Sequence, residues 1–321
     1  NFFSVYRRDH IDGIEYEFEQ IGNTFPNVFK SKNGDLWNIY GQKQDGDNSN
    51  DLVSVNSLVG YWFVFPAFYQ KIILQSGDEI VNPMFHSEDQ NEEWLLDFDF
   101  LFAGSIKNGI RSIDDPEFIR ATSKEFIDNE FYKALDPEEL LTVVKVGNDV
   151  HLYPHRILEY HEVVNDVVGD RPVTVSYCPL TGTSRAWVRE FDQQIFEFGV
   201  SGLLYNNNLV LYDRNTDSHW SQILNKSVNG ELIGRNVSSL AVLEIEAQDI
   251  INIGGRINLL STETGIQYDY QFPVYGNYKD SDRISFPLTF TDVTIPIKER
   301  VLGVTVNGVT KVYRFSDFST P

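Results

Sequence analysis

The chain has 321 residues, of which 47 are acidic and 26 basic, giving a net charge of −21. This balance argues against binding to nucleic acid or to an anionic membrane surface, since both need clustered lysine and arginine. A single cysteine excludes an intramolecular disulfide and a cysteine-cluster metal site. The given chain has no apolar run of 18 or more residues, so the sequence predicts no transmembrane segment.

Strand patterns dominate the chain. Residues Val143–Val146 and Val150–Tyr153 alternate around Gly147 and Asn148, a pattern typical of a hairpin with a tight turn. Other segments are rich in valine, isoleucine and aromatic residues, which favour strands. These further predicted strands are Pro172–Tyr177, Arg185–Phe191, Ile195–Val200 and Leu209–Asp213.

Helical patterns are few and short. Asp115–Asn129 has Pro116 near its start and spaced apolar residues, which suits a helix beginning at Asp115. His155–Asp166 has the spacing of a second short helix leading to the cysteine. The sequence therefore predicts an α+β fold in which strands dominate, with a few short helices.

Two pairs of segments resemble each other along the chain. Residues 143–158 match 303–318 at one constant offset, with Val144 opposite Val304 and Tyr153 opposite Tyr313. A weaker match joins 28–46 to 211–230, each with a tryptophan. This order predicts two pseudo-repeated β-rich halves. Residues 166–205 have no counterpart, so we expect the chemistry in that insert.

The repeats and the motifs together suggest a division of the chain. We expect residues 1–105 to form an N-terminal β-rich segment that packs on the rest. Residues 106–321 would form the core domain, with the cysteine-containing segment at 153–222.

The lone cysteine lies among polar residues in the run Y-C-P-L-T-G-T at 177–183. One interpretation makes Cys178 a nucleophile, which needs a nearby cation because a free thiol is mostly protonated at neutral pH. His161 would supply an imidazolium, oriented by Asn165 or Asp166. Thr181 lies in the following turn, whose backbone N–H groups would bind an oxyanion.

Polar residues downstream would line and orient a substrate or ligand. A metal ion bound by Cys178 and His161 is a weaker alternative, because two protein ligands are fewer than usual. The sequence identifies neither a metal nor a cofactor. The candidate substrate residues are Ser201, Tyr205, Asn206, Asp213 and Arg214.

The run from Ile106 to Phe318 resembles an uncharacterised, mostly bacterial family catalogued as domain of unknown function 3179. The resemblance rests on motifs in order along the chain. They include N-G-I-R-S-I-D-D-P-E-F (108–118), R-I-L-E-Y-H-E-V-V-N-D (156–166), Y-C-P-L-T-G-T (177–183), F-G-V-S-G-L-L-Y-N-N-N-L-V-L-Y-D-R (198–214) and I-K-E-R-V-L-G-V-T-V-N-G (297–308).

The resemblance implies a location but no reaction. Family members look exported, so we expect an extracytoplasmic protein, in the periplasm or at the cell surface. The chain begins at Asn1 without methionine, which suggests that a signal or lipid-anchor segment was trimmed. His161 matches the family motif. Some members have a second cysteine where this chain has Thr181, so a two-cysteine redox pair is excluded here.

Two classes of function stay open at this point. The first is an enzyme with Cys178 as nucleophile. The second is a non-catalytic binding or structural subunit of a cell-envelope complex, in which Cys178 is only part of the core. Its partner would be an envelope protein or a small ligand. The state of the Cys178 thiol separates the two hypotheses.

Overall fold

Short strands make up most of the regular structure. The computed structural model describes residues 4–7, 16–22, 25–44, 51–84, 93–122, 126 and 128–318. The fold is α+β and strand-dominated, as predicted. The helices with described bounds are α1 (Val64–Phe68), α2 (Glu130–Lys133) and α3 (His155–His161).

The strands before α3 come mainly from the N-terminal half of the chain. They are β1 (Phe18–Gln20), β2 (Asn27–Ser31), β3 (Leu36–Asn38), β4 (Ser57–Tyr61), β5 (Lys71–Leu74), β6 (Glu79–Val81), β7 (Leu101–Ala103), β8 (Phe118–Arg120), β9 (Leu140–Val146) and β10 (Asp149–Pro154).

The strands after α3 include the cysteine-containing segment. They are β11 (Val163–Val168), β12 (Arg171–Cys178), β13 (Thr183–Val188), β14 (Glu190–Phe191), β15 (Gln194–Ile195), β16 (Phe198–Tyr205), β17 (Asn208–Asp213), β18 (His219–Ser221), β19 (Lys226–Asn229), β20 (Ser239–Leu240), β21 (Leu243–Glu246), β22 (Arg256–Leu260), β23 (Arg300–Val306) and β24 (Val309–Arg314).

The described strands form six sheets. Three have five strands each, in the orders β21-β9-β10-β22-β8, β19-β18-β17-β16-β7 and β4-β23-β24-β5-β6. The smaller sheets have the orders β11-β12-β13-β20, β1-β2-β3 and β14-β15. Strands β4, β5 and β7 all pair with strands beyond residue 106. Strands before residue 106 therefore pair directly with strands beyond it.

Two of the five-stranded sheets share one pairing pattern. Hairpin β9–β10 lies between β21 and β22, and hairpin β23–β24 lies between β4 and β5. In each sheet the first hairpin strand pairs with an antiparallel neighbour, β21 beside β9 and β4 beside β23. The second hairpin strand pairs with a parallel neighbour, β22 beside β10 and β5 beside β24. The registers also correspond, because Glu244 opposes Thr142 as Val59 opposes Leu302. Each hairpin therefore sits between two strands that are distant in sequence.

The sheet β11-β12-β13-β20 separates two hydrophobic cores. On β12, every residue after Arg171 is buried. One face contributes Val173 and Val175 to a core shared with α3, and the other carries Cys178 toward α1 and β17. Because both faces are covered, polar side chains on these strands need partners inside the protein.

The helix predicted over Asp115–Asn129 is wrong in its first half. Phe118–Arg120 form β8, which pairs antiparallel with β22. The helix α2 begins only at Glu130, where the Asn129 side chain accepts hydrogen bonds from the backbone N–H groups of Phe131 and Tyr132. Pairing with a remote strand outweighs the weak helical preference of this segment.

The helix predicted over His155–Asp166 is correct only to His161. From Val163 the chain forms β11, antiparallel to β12. The β-branched pair Val163 and Val164 favours a strand over a helix, and both side chains are fully buried on opposite faces. Glu162 is thus the single residue between helix and strand.

Gly303 allows hairpin β23–β24 to pack against α1. A Cβ at this position would fall well inside van der Waals contact of the Phe65 ring. We expect Gly303→Ala to lower the free energy of unfolding by about 1–3 kcal/mol, because the packed ring must move. Urea unfolding measures this loss of stability. Gly303→Ala should cost less when it is made in a Phe65→Leu background, because the ring is gone. Gly22→Ala, whose added Cβ would meet no described atom within 4 Å, is the control. Equal stability of Gly303→Ala and wild type would contradict the packing.

Candidate functional site

Cys178 ends β12 in a buried position. Its side chain is 1% exposed, and its thiol donates a hydrogen bond to the Asn207 carbonyl oxygen at 3.5 Å. Burial, with a smaller contribution from the Glu162 carboxylate, raises the pKa of the Cys178 thiol to about 11. At neutral pH the thiol is therefore protonated, which is the opposite of an activated nucleophile.

His161 uses both ring nitrogens for contacts away from Cys178. Nδ1 lies 2.7 Å from the Arg111 carbonyl oxygen and Nε2 lies 2.6 Å from the Tyr270 hydroxyl. Burial lowers the pKa of His161. The geometry therefore supplies no imidazolium to the Cys178 thiol.

Asn165 and Asp166 point to opposite faces of β11. The Asn165 amide donates to Asp114 and to the Phe198 carbonyl, and its oxygen accepts from Thr174. Asp166 Oδ2 lies 2.7 Å from His151 Nδ1 and accepts a bond from the Tyr153 hydroxyl at 2.6 Å. Both side chains tie the sheet β11-β12-β13-β20 to its neighbours, and the His161 ring nitrogens contact Arg111 and Tyr270 instead.

A buried polar network surrounds the turn after Cys178. The Thr181 and Thr183 hydroxyls are 2.8 Å apart, and both accept from the Asn208 amide. Gln222 accepts from Asn208 and donates to Ser176. All five side chains are buried, and Asn208 Oδ1 has no hydrogen-bond partner. The Y-C-P-L-T-G-T run therefore meets Asn208 and Gln222 here, in a network that joins β12, β13 and β17 to the end of β18.

The first three predicted substrate residues lie on hairpin β16–β17. Ser201 donates from its hydroxyl to the Val210 carbonyl across the hairpin. Asn206 occupies the tight turn with a positive φ of 49°, and its side chain accepts from the Thr289 N–H. The Tyr205 ring packs edge-on against Phe68. These contacts stabilise the hairpin and its turn.

Asp213 and Arg214 do not pair with each other. Asp213 accepts from Trp220 Nε1 at 2.8 Å and from Thr216, closing the turn between β17 and β18. Arg214 forms ion pairs with Asp114 at 2.9 Å and Glu197 at 3.1 Å, which raise the pKa of its guanidinium. Both residues hold chain segments together.

Glu162 joins α3 to β11 and is the residue that the sequence argument missed. Its backbone is left-handed, with φ of 57°, a conformation that favours glycine at helix ends. Its N–H donates to Leu158 and its carbonyl accepts from Tyr177, so helix and strand both hold it in place. A non-glycine residue in such a conformation costs on the order of 1–3 kcal/mol and often marks a functional position.

The Glu162 side chain lines a cavity of about 250 Å³. The walls also include Leu180, two residues after Cys178, and Tyr275. At another wall, Gly202 sits in a β-bulge of β16 with φ of 84°. A Cβ at Gly202 would collide with the Ser105 carbonyl oxygen, so glycine allows the loop at 104–106 to approach.

The cavity combines an acid with a cation. Glu162 is 5% exposed, and its Oε1 accepts a bond from the Tyr275 hydroxyl at 3.2 Å. Burial raises the pKa of the Glu162 carboxyl to about 7. The Arg283 guanidinium also lines the cavity. Glu162 is thus poised to take up or release a proton near neutral pH.

The described residues contain neither a candidate metal-binding group nor a membrane-spanning helix. In that part of the chain no group of three or more His, Cys, Asp or Glu side chains lies close enough together to hold a metal ion. Within the same residues, no helix is long and apolar enough to cross a membrane.

The fold and cavity define a strand-dominated α+β protein with a buried acidic residue facing an internal cavity. Residues 107–320, about two thirds of the chain, match the family described as "Protein of unknown function (DUF3179)". The chain belongs to this family, in agreement with the resemblance seen in its motifs. No curated protein and no solved structure matches the chain.

The burial of Cys178 predicts its reactivity. We expect alkylation of the native protein at pH 8 to be about 100-fold slower or more than in urea, because both accessibility and thiolate fraction are low. Mass spectrometry at timed intervals measures the rate at this single cysteine. Fast alkylation of the native protein near pH 7 would contradict the geometry and restore the nucleophile hypothesis.

Burial of Glu162 also predicts a pH dependence of stability. The pKa of this carboxyl rises from an ordinary 4.5 to about 7 on folding, so its burial costs nothing below pH 4.5 and costs progressively more up to pH 7. We expect Glu162→Gln to remove about 3 kcal/mol of this loss. Urea unfolding from pH 4 to 8 measures the difference, with the exposed Glu231→Gln as control. A constant difference between variant and wild type across this range would refute the shifted pKa.

Proposed function

We propose that the protein binds a small organic ligand in the Glu162 cavity and exchanges a proton with it through the Glu162 carboxyl. The observation that carries this proposal is the combination of a strained backbone, a buried carboxyl and a pKa near 7 at one residue facing a cavity. Perturbed titration and backbone strain tend to occur together at sites of catalysis and ligand binding.

The charges at the cavity favour a particular class of ligand. Arg283 is exposed at the edge of the cavity and is suited to bind a negatively charged group. Protonated Glu162, beside the Tyr275 hydroxyl, would donate to an oxygen or nitrogen of the same ligand. Hydroxy- and keto-carboxylates have both features, so they are the class we propose.

Cys178 has a supporting role in this proposal. Its thiol packs beneath the site, within the core that also contains Leu180 and Val163. The protonated thiol fills space and donates to Asn207 without attacking the ligand. The candidate site thus stays beside Cys178, but its reacting group becomes Glu162.

We further propose an extracytoplasmic location, on the basis of the family resemblance. A non-catalytic role in a cell-envelope complex remains the second candidate. It is favoured by the contacts of Asn165, Asp166, Asp213 and Arg214, all of which hold the fold together. In that case the cavity would bind a ligand without proton exchange.

The two pseudo-repeated halves belong to the same proposal. The shared pairing and register of the two sheets support them. On this view each half lends its hairpin to the strands of the other half. Residues 166–205, which lack a counterpart, then carry Cys178 and one wall of the Glu162 cavity.

Calorimetry tests the proposed function. Small hydroxy- and keto-carboxylates would be titrated near pH 7 in two buffers with different heats of ionisation, which reports protons taken up or released. We expect at least one compound to bind with proton exchange in wild type and in Glu231→Gln. Glu162→Gln should abolish the exchange, and Arg283→Ala should weaken binding by about tenfold. Binding with no proton exchange would favour the non-catalytic role, and no binding by any compound would sink the proposal.

A further inference from the structure

A second cavity, of about 280 Å³, lies where the two similar five-stranded sheets meet. Its walls come from β4 and β23 of one sheet and from β9 and β21 of the other. Its size is at the small end of ligand pockets, which are roughly 300–1,000 Å³. The Glu162 cavity shares no lining residue with it.

Four of the lining residues form two matched pairs. By the strand registers, Val59 on β4 occupies the place that Glu244 occupies on β21. Leu140 and Arg300 correspond at the starts of β9 and β23. All four of these residues line the cavity. The cavity therefore lies between equivalent positions of the two sheets.

Each matched pair has one polar and one apolar member. Apolar Val59 corresponds to acidic Glu244, and apolar Leu140 corresponds to basic Arg300. The equivalent position of the other sheet holds an apolar residue, so sheet formation does not require the charge. Glu244 and Arg300, which are both half-buried, form an ion pair across the sheets, and ion pairs removed from water are often replaceable by apolar residues without loss of stability. Their presence needs another reason, and the cavity offers one.

A chain of hydrogen bonds leads to two polar lining groups of the cavity, Ser184 and Glu244. His155 Nε2 lies 3.0 Å from the Thr142 hydroxyl, which lies 2.7 Å from the Ser184 hydroxyl. Ser184 donates to Glu244 Oε1 at 3.4 Å. Ser184 and Glu244 both line the cavity, so the chain orients the groups that a ligand would meet.

Apolar side chains also line the cavity. They include Val59, Leu302 and Phe315, and by the strand registers Leu302 corresponds to Thr142 of the other sheet. The cavity therefore combines polar and apolar lining groups. A ligand that fits needs an apolar body with a polar end.

The charge of the cavity selects the polar end. The carboxylates of Glu138, Glu244 and Glu246 line it against the one guanidinium of Arg300, which is already paired with Glu244. Glu138 is exposed and Glu246 half-buried, and Glu246 also accepts a bond from Gln248. The excess of negative charge favours a cation at the open side.

We propose that this cavity is a second ligand site, and that it takes a small primary amine whose ammonium group lies among these carboxylates and whose alkyl chain lies against Val59, Leu302 and Phe315. This site is independent of the proposed function at Glu162. Its ligand differs in charge from the carboxylates proposed there, so the two sites can be tested separately.

Three probes of the same length test the proposal by protein-observed NMR: pentylamine, 1-pentanol and pentanoate. We expect saturable binding of pentylamine, with 1-pentanol weaker by about tenfold or more and pentanoate weaker still. The double variant Glu138→Gln, Glu246→Gln should weaken the amine by about tenfold or more. Glu231→Gln and Glu162→Gln should leave it unchanged.

Several results would overturn the second site. The proposal fails if pentylamine shows no saturable binding up to about 50 mM, a concentration far above the dissociation constant expected of even a weak site. Pentanoate binding as well as the amine would show that the acidic groups do not select the ligand. Equal affinity in the double glutamine variant would show that the amine binds elsewhere.

Discussion

Burial of strands β12 and β17, which belong to two different sheets, is the constraint on which the rest of the structure depends. Strands β12 and β17 have almost no exposed residue, yet their sequence is rich in polar side chains. Each buried polar group must find a partner, since an unpaired one costs roughly 1–3 kcal/mol. The Thr181–Asn208–Gln222 network and the Asp166–Tyr153 contact meet most of this need, and within the network Asn208 Oδ1 has no partner among the described residues. The polar motifs around Cys178 are therefore largely a means of building a buried sheet.

Glu162 differs from these groups, because its hydrogen bond from the Tyr275 hydroxyl does not offset the burial of its carboxyl. Its backbone is left-handed and its carboxyl is buried, so the residue opposes folding twice. Glycine would suit the backbone, and glutamine would keep the contact with Tyr275 without the charge. A residue that lowers stability where it stands is most readily explained by what its side chain does in the cavity.

The sequence predicted local features well and remote ones poorly. Alternation around Gly147 predicted hairpin β9–β10, because a two-residue turn is encoded locally. The partners of that hairpin, β21 and β22, begin about a hundred residues later, and no local pattern specifies them. The same limit explains the failed helix at Phe118, which pairs with β22.

The candidate site shows a similar division. The motifs contain Glu162 and Leu180, which line the proposed cavity. They could not reveal that the Cys178 thiol is buried, or that Tyr275 and Arg283 close the cavity from more than a hundred residues away. One local signal was available. Glu162 is the single residue between the end of α3 and the valines that begin β11, a place where an unusual backbone is expected.

The most direct test of the central claim is a ¹³C NMR titration of the glutamate side-chain carboxyls, with Glu162→Gln used to assign the signal. The account predicts a midpoint near pH 7 for Glu162. A midpoint near the ordinary value of about 4.5 would show that the carboxyl is solvated and ionised. Glu162 would then lose its role as the proton-exchanging group of the cavity.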